Sequence, residues 1–414
     1  MRLVHEPANE LPNKGYRPLR WLQLCILGAV IGLVTGASVA MSSDPGNIAP
    51  YEYSLWRWQG ETMPGALARL VGFDFRPSQE ASDEEILQQY FSYTTELRNE
   101  VNREEPDLQR LAEIRSGRAS YELQVEHIIR NHVTEAIETA GVQERLPFFN
   151  DVALTWPPVE FRLTRPPHVL VISPRDQIMR MSVHLLRHDL TVSQITEIEQ
   201  QYEQRGDVVA HVVSIGGMAA YPAMVRSDRN YWSIVETAAH EWVHHYLAFY
   251  PLGQKWDTRH AITLNETVAT IAGRAIAEIV HEQYPMEFPA GSDGSWLTRP
   301  EAEINYHEEM MQLRMTVDEL LGQGHVEEAE RVMEATRLYL LEHGVRIRKI
   351  DQAYFAFRGA YAASPSATDP IGPKVERVWE LSGDVETFLV RMRDITSVAE
   401  LDALLRRLEA IQEA

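Results

Sequence analysis

The run His240-Glu241-Trp242-Val243-His244 restricts the local fold more than any other stretch of this chain. Apolar residues around it recur at helical spacing, which predicts a helix over residues 231–249. Two histidines four residues apart on a helix lie one turn above each other on the same face. Their imidazoles can bind one metal ion together, with Glu241 close enough to act on a water at that ion. The alternative is a helix with incidental histidines, but burying these three side chains without a partner is costly.

The composition is that of a folded, acidic protein. The 414 residues are 44% hydrophobic and 24% charged, enough for one large or two ordinary domains with a sizeable core. The net charge of −21 disfavours nucleic acid as a partner and disfavours flat binding to anionic lipid. The single cysteine, Cys25, lies in an apolar N-terminal segment, so the rest of the chain can form no disulfide and no thiolate metal site. Any metal must therefore be bound by His, Asp or Glu.

The apolar segment, residues 21–41, predicts a single transmembrane helix. It carries no charged residue, and about twenty apolar residues are needed to cross the hydrocarbon core of a bilayer. Four cations precede it and the next cation is Arg57, so the positive-inside rule places residues 1–20 in the cytoplasm and everything after Ser42 outside it. The alternative is a cleaved signal peptide with Ser38-Val39-Ala40 as its cleavage site, which would give a secreted protein.

Gly28, Gly32 and Gly36 form a stripe on one face of this predicted membrane helix. Small residues four positions apart allow two helices to approach closely, so the stripe predicts a homodimer. The alternative is that glycine is simply frequent in membrane helices.

The chain after the apolar segment is predicted to begin with a linker and a helical region. Residues 42–80 hold proline, glycine and several aromatic residues, which is typical of a linker and a membrane-proximal segment. Residues 81–145 carry apolar residues at helical spacing. We predict two long helices over 82–140, interrupted near Pro106, whose role is packing.

Residues 146–290 are predicted to form the core that carries the histidine motif. Three segments have the alternation or the apolar runs typical of strands: 159–163, 168–172 and 208–215. Gly216-Gly217 interrupts the last of them, and 219–225 is predicted as an edge segment because Pro222 cannot donate to a ladder. Three further segments are predicted helices: 177–186, 192–204 and 263–282.

Residues 291–414 are predicted as a helical C-terminal region. The periodicity predicts helices over these ranges: 300–321, 326–342, 347–362, 384–391 and 397–413. Gly322-Gln323-Gly324 separates the first two and predicts a helical hairpin. The chain as a whole is predicted to be α+β, predominantly α, with a small mixed sheet and a helical C-terminal part behind one N-terminal transmembrane helix.

A catalytic zinc site needs a third protein ligand besides His240 and His244, and one open coordination position. In the metzincin arrangement this ligand is a third histidine, six residues after the second. Here the glycine and histidine positions of that pattern hold Leu247 and Tyr250. The third ligand must therefore lie further along the chain.

The gluzincin arrangement instead takes its third ligand from a Glu on a following helix, usually preceded by Asn, and Glu266 resembles that ligand. It follows Asn265 in the next predicted helix, with 21 residues between it and His244. Pro251-Leu252-Gly253 ends the first helix, so the second can return antiparallel to it. His260 is the rival ligand, and the alternative for Glu266 is a first-turn glutamate favoured by the helix dipole.

His240-Glu241-x-x-His244 followed by Asn265-Glu266-x-x-Ala269 resembles the gluzincin metallopeptidases, which include thermolysin-like and aminopeptidase-like zincins. The resemblance implies a zincin-like domain in which His240, His244 and Glu266 bind one Zn2+ per chain and Glu241 is the general base. Residues 215–225 resemble the edge strand on which such enzymes bind extended substrates. Residues 351–361 are loosely similar to a late helix of bacterial aminopeptidases in this group. The resemblance covers residues 208–361 and is specific at the two metal motifs.

The chain departs from the thermolysin-like pattern near the ligands. Thr270 stands where those enzymes have an aspartate that supports a ligand histidine. A ligating histidine is expected to have such an acceptor. The candidates are Asp257, Glu278 and Glu236. His245 is predicted to pack or to support the site, because it points about 100° away from His244 around the helix.

The resemblance implies metal-assisted hydrolysis, in which the tetrahedral oxyanion needs an electrophile besides the metal. Tyr361 or Tyr354 is predicted for this role. Arg358, Tyr306 and His307 also lie downstream on predicted helices and could reach the site.

These features predict a zinc metallopeptidase that is anchored in the membrane by a single helix and has its catalytic domain outside the cytoplasm. Its predicted substrates are peptides or proteins, and it resembles aminopeptidases. The alternative is a catalytically inactive zincin-fold scaffold or binding protein in the membrane. Glu241 favours the enzyme, because a structural metal site needs ligands but no base. A third interpretation is a carboxylate-bridged di-metal protein using Glu236, Glu241 and Glu278, which predicts two metals per chain.

Overall fold

The computed structural model describes residues 48–70, 81–146, 149–255, 258–286, 288, 304–359 and 371–413. The predicted membrane segment 21–41, with the glycine stripe, lies outside these residues. Within them, no helix is both long enough and apolar enough to cross a bilayer. Helices dominate and the strands form three small sheets, which confirms the α+β, predominantly α class.

Among the described residues, the N-terminal part holds a 3-10 turn (Ala49–Tyr51) and four α-helices. The α-helices are α1 (Leu55–Leu70), α2 (Asp83–Val101), α3 (Leu108–Ala119) and α4 (Glu122–Thr139). Ser82 caps α2 and Asp107 caps α3, so the break predicted near Pro106 is confirmed. The prediction of two helices over 82–140 is wrong, because a second break at Ser120 and Tyr121 makes three. Helix α1 lies in the segment predicted as a linker, where it buries Leu55 against Ala220 and Met224.

Two of the sheets are antiparallel. Strands β1 (Glu144–Leu146) and β2 (Phe149–Leu154) form a two-stranded sheet. Strands β4 (His168–Pro174), β5 (Ser182–Leu186) and β6 (Val208–Ser214) form the second, in the order β5-β4-β6. Leu170 and Val212 face helix α5 (Val192–Glu203), whereas Val169 and Val213 face Ala353 and Phe357 on the other side. The helix predicted over 177–186 is wrong: β5 pairs with the open edge of β4.

The third sheet is mixed and lies next to the histidine motif. Strand β3 (Phe161–Thr164) pairs parallel with β8 (Ala223–Arg226), which pairs antiparallel with β7 (Gly217–Met218). The segment 219–225 is therefore not an edge, because β8 occupies the centre in the order β3-β8-β7. Pro222 stands just before β8, so its missing N–H costs the ladder nothing.

The motif helix and its partner lie in the middle of the largest hydrophobic cluster. They are α6 (Tyr231–Leu247) and α8 (Arg259–Gln283), joined through the single turn α7 (Pro251–Gln254). Both helices are confirmed, although α8 begins before the predicted start at 263. His244 contacts Asn265 and His240 contacts Gly273, so the two helices run antiparallel.

In the described residues from 304 onward, six helices form the C-terminal part. They are α9 (Tyr306–Gly322), α10 (Val326–Glu342), α11 (Gln352–Arg358), α12 (Ile371–Ser382), α13 (Val385–Met392) and α14 (Val398–Gln412). The α9–α10 hairpin is confirmed. Helix α11 is shorter than the predicted 347–362, and α12 has no counterpart among the predicted helices. Helices α12 to α14 share the cluster of α6 and α8.

Candidate metal centre

Helix α6 carries the histidine motif through the core. Its first turn is capped by the Asn230 side chain, which accepts from the Ser233 backbone N–H (2.7 Å). The motif residue Trp242 donates its indole N–H to the Pro157 carbonyl (2.7 Å) and so fixes the rotation of the helix. Glu241 is buried, whereas His240 keeps part of its surface exposed. The motif therefore opens toward solvent at His240.

The two motif histidines face each other across one helical turn. Their Nε2 atoms are 3.0 Å apart, and the ring planes are nearly perpendicular at 82°. This arrangement aims one ring nitrogen of each imidazole at a common point, as the spacing predicts.

Glu266 directs a carboxylate oxygen to the same point. Its Oε2 lies 3.6 Å from Nε2 of His240 and 3.6 Å from Nε2 of His244. With the 3.0 Å separation of the nitrogens, the point equidistant from the three atoms is about 2 Å from each, which is the distance of zinc from such ligands. Oε2 is buried and has no hydrogen-bond partner within the described residues. A carboxylate oxygen in this situation is costly unless a cation binds it.

Asn265, directly before Glu266, fixes the orientation of His244. Its Nδ2 donates to the Leu252 carbonyl (3.3 Å), which leaves its oxygen to accept from Nδ1 of His244 (2.7 Å). This hydrogen bond keeps a proton on Nδ1 of His244 and fixes the ring, so that a metal ion at the common point would meet Nε2.

An amide therefore supports His244, where a carboxylate was expected. Of the predicted supporting residues, Glu236 and Glu278 are exposed, and Asp257 lies outside the described residues. Across the described part of the chain, His240, His244 and Glu266 are the one group of three ligating side chains that converges on a point. A second metal bound through Glu236 and Glu278 thus has no support in the described geometry.

The charges of the centre favour a cation. Burial lowers the pKa of His244, but the Glu266 carboxylate outweighs burial and raises that pKa to about 9. Burial raises the pKa of Glu266, but the imidazoles of His244 and His240 outweigh it and hold that pKa well below its usual range. Glu266 is therefore ionised and presents a fixed negative charge to the two imidazoles.

Glu241 lies against strand β7, beside the three ligands. Burial raises the pKa of Glu241, and the charges of His240 and His244 oppose this rise. A Cβ at Gly217 would overlap Oε1 of Glu241 and would lie 2.7 Å from Cγ2 of Thr237. Glycine at 217 is therefore what leaves room for the carboxylate. A buried carboxylate next to a metal centre is suited to proton transfer.

The free edge of the mixed sheet is held beside Glu241 by His245. Strand β7 is outermost, and on its far side no described strand pairs with it. Nε2 of His245 donates to the Ala220 carbonyl (2.7 Å), and the ring packs edge-on against Tyr221. Burial lowers the pKa of His245 to about 4, so the side chain is neutral near pH 7. His245 thus fixes the segment between β7 and β8 to helix α6.

Gly273 allows helix α8 to approach helix α6 at the first ligand. A Cβ at this position would lie 2.8 Å from both N and Cα of His240, closer than real Cβ atoms come. Gly273 follows Glu266 by seven residues, so both lie on the face of α8 that meets α6. The glycine therefore sets the spacing between the two helices that carry the ligands.

The remaining predicted site residues are not part of this group. Tyr361 lies outside the described residues. Tyr354 belongs to the hydrophobic cluster of α9 to α11, with its hydroxyl 3.4 Å from that of Tyr306 and its ring edge-on to His211. His260 is exposed near the start of α8, and it is Glu266 that lies together with His240 and His244.

Three residues that shape the centre are not predicted from the motif spacing: Asn265, Gly217 and Gly273. Asn265 gives a signal, because it directly precedes the ligand. Gly273 gives another, since a glycine seven residues after a ligand on the same helix face indicates close helix packing. Gly217 is visible only as part of a strand break, and its contact with Glu241 has no local signature.

No protein-family model, no curated protein and no solved structure matches the chain. Two imidazoles and one carboxylate form a donor set that suits zinc.

Proposed function

We propose that this protein is a membrane-anchored, zinc-dependent peptidase of the gluzincin type, with His240, His244 and Glu266 as metal ligands and Glu241 as general base. One observation carries the proposal. The buried Oε2 of Glu266 has no hydrogen-bond partner within the described residues and is equidistant from two imidazole nitrogens. A cation at this point would bind all three atoms at once. A helix pair with a purely structural role would have no need for three such donor atoms to converge.

The residues of the chain divide the chemistry between them. A bound zinc ion supplies Lewis acidity, which lowers the pKa of water and polarises a carbonyl. Glu241 takes the proton from the attacking water and passes it to the leaving amine. Gly217 leaves room for the Glu241 carboxylate, and Asn265 fixes the His244 ring through Nδ1. For the group that stabilises the oxyanion, Tyr361 and Tyr354 stay predictions.

A peptide is the substrate class that the surroundings of the centre favour. No described strand pairs with the outer edge of β7, the strand that lies beside Glu241, and an extended peptide can add to such an edge through main-chain hydrogen bonds. Main-chain pairing would bring a substrate carbonyl next to the base without requiring a particular side chain. His245 supports this role because it fixes the segment that follows β7.

The membrane anchor is proposed from the sequence. Residues 21–41 carry no charge, and the cations before them favour an extracytoplasmic catalytic domain. The chain is expected to resist carbonate extraction from membranes, and an external protease is expected to digest the part after Ser42 in intact cells. Release of the full chain by carbonate would contradict the anchor and leave the peptidase proposal standing.

Hydrolysis of a peptide mixture tests the peptidase proposal. Glu241→Gln keeps the size of the side chain and removes the base, so we expect hydrolysis to fall by at least about a hundredfold while zinc stays bound. Glu236→Gln is the matched control, because Glu236 is an exposed carboxylate one turn earlier on the same helix.

The products of the wild-type reaction distinguish release of single N-terminal residues from internal cleavage. Hydrolysis retained in Glu241→Gln would refute the role of the base. Zinc binding without any hydrolysis by the wild type would favour the scaffold alternative.

A further inference from the structure

A continuous series of hydrogen bonds runs from the connection between α13 and α14 to the ligand His244. The backbone N–H of Leu252 donates to the Arg393 carbonyl (3.0 Å). The Leu252 carbonyl accepts from Nδ2 of Asn265 (3.3 Å), and Oδ1 of Asn265 accepts from Nδ1 of His244 (2.7 Å). Leu252 and Asn265 are fully buried, so water cannot replace these bonds unless the core opens.

The side chain of Arg393 holds this connection against helix α6. Its Nη1 donates to the hydroxyls of Tyr246 (3.0 Å) and Tyr250 (3.2 Å), and its guanidinium lies 4.4 Å above the Tyr250 ring. Tyr246 is on α6, two residues after His244. Arg393 therefore accepts the Leu252 hydrogen bond through its carbonyl and is fixed to helix α6 through its side chain.

We infer that Arg393 is a positioning residue for the metal centre, acting on His244 through Leu252 and Asn265. The inference rests on the proposed function of the centre. Without the guanidinium, the Arg393 carbonyl and the Leu252 turn can shift together. The Asn265 amide then loses its fixed partner, and the His244 ring is less strictly held with Nε2 at the common point.

The C-terminal helices thereby take part in metal binding although they contribute no ligand. Loss of a direct supporting partner of a ligating histidine lowers metal affinity by about 10–100-fold. Arg393 acts two residues further away, so an effect near the lower end of this range, about tenfold, is expected for Arg393→Met.

Arg391→Met is the matched control. Arg391 lies two residues earlier in α13, and its Nη1 donates to the Leu381 carbonyl (2.8 Å) and to Oγ of Ser382 (3.1 Å). It joins α12 to α13 and touches no member of the series. Both substitutions remove one positive charge and a set of hydrogen bonds from the same group of helices.

The test is the zinc dissociation constant of the full chain in detergent, measured by competition with a chromophoric chelator. We expect Arg393→Met to weaken zinc binding about tenfold and Arg391→Met to change it less than about twofold. In an Asn265→Ala background, Arg393→Met is expected to have no further effect, because the series is already interrupted. The visible spectrum of the Co2+-substituted chain is expected to change in Arg393→Met and not in Arg391→Met.

Two results would overturn this inference alone: equal zinc affinity in Arg393→Met and Arg391→Met, or an Arg393→Met effect that adds in full to that of Asn265→Ala. If Arg393→Met does not fold, the double variant Tyr246→Phe/Tyr250→Phe removes both hydroxyl acceptors with a smaller change. This double variant is also expected to weaken zinc binding, and unchanged zinc affinity would contradict the inference. A wild-type chain that binds no zinc would overturn the proposed function and this inference with it.

Discussion

Replacing Gly273 by alanine tests whether close packing of α6 and α8 sets the geometry of the metal centre. The added Cβ would lie 2.8 Å from N and Cα of His240, and 3.1 Å from its Cβ. Two of these atoms are main chain and cannot rotate away. Helix α8 must therefore move back by about 0.6 Å to reach an ordinary contact distance of about 3.4 Å.

The expected magnitudes follow from this displacement. In a helix, alanine is favoured over glycine by about 1 kcal/mol. Overpacking a core costs about 1–3 kcal/mol, and contact with main-chain atoms places Gly273→Ala near the upper end of this range. After the helix preference for alanine is subtracted, a net destabilisation of about 2 kcal/mol is expected. Ligand distances in metal sites tolerate about 0.2 Å, and Glu266 lies on the helix that must move. Zinc affinity is therefore expected to fall more than about tenfold.

Urea unfolding and chelator competition measure the two effects on the same samples. The matched control is Gly60→Ala, because Gly60 lies inside helix α1 and a Cβ there would meet no atom within 4 Å. The control is expected to stabilise the fold by about 1 kcal/mol and to leave zinc affinity unchanged. If Gly273→Ala proved as stable as Gly60→Ala and bound zinc as tightly as the wild type, the account of helix spacing would be refuted.

Two further predictions concern other parts of the molecule. Gly217→Ala is expected to displace the Glu241 carboxylate, so hydrolysis falls about a hundredfold or more while zinc stays bound, and the contact with Thr237 is expected to cost about 1–3 kcal/mol of stability. Steady-state kinetics beside metal analysis checks this, and full activity would argue against Glu241 as the base. A carboxylate oxygen of buried Asp351 lies 3.0 Å from Nζ of Lys349, and the other lies 3.4 Å from Nδ1 of His211. Burial raises the pKa of Asp351, but His211 and Lys349 outweigh burial and hold that pKa below its usual range. The ionised carboxylate thus stabilises the fold above the unfolded-state pKa of about 3.9, and this contribution is lost as pH falls through the lower folded-state pKa. Asp351→Asn is expected to cost about 3 kcal/mol in urea unfolding at pH 7 and less below pH 4, whereas a cost independent of pH would contradict the assignment.

The convergence of His240, His244 and Glu266 could be predicted from sequence because much of its geometry is local. Histidines four apart on a helix must share a face, and a glutamate on the next helix was the remaining donor with a suitable context. The same holds for helices with clear periodicity, such as α6 and the two helices of the α9–α10 hairpin.

What could not be predicted depends on contacts between distant segments. The five-residue run of β5 is compatible with helix or strand, and only the open edge of β4 decides between them. Helix α1 is stabilised by burying Leu55 against a sheet more than 150 residues later in the chain. Likewise, the need for glycine at 217 becomes visible only when Glu241 is placed beside it.

The zinc content of the purified full chain tests the central claim most directly. Wild type and Glu241→Gln are each expected to hold about one zinc ion per chain, because the base is not a ligand. Glu266→Ala is expected to hold less than about a tenth of that, whereas Glu278→Ala, an exposed carboxylate on the same helix, is expected to match the wild type. Zinc retained in full by Glu266→Ala, or absent from the wild type, would contradict the assignment of this centre.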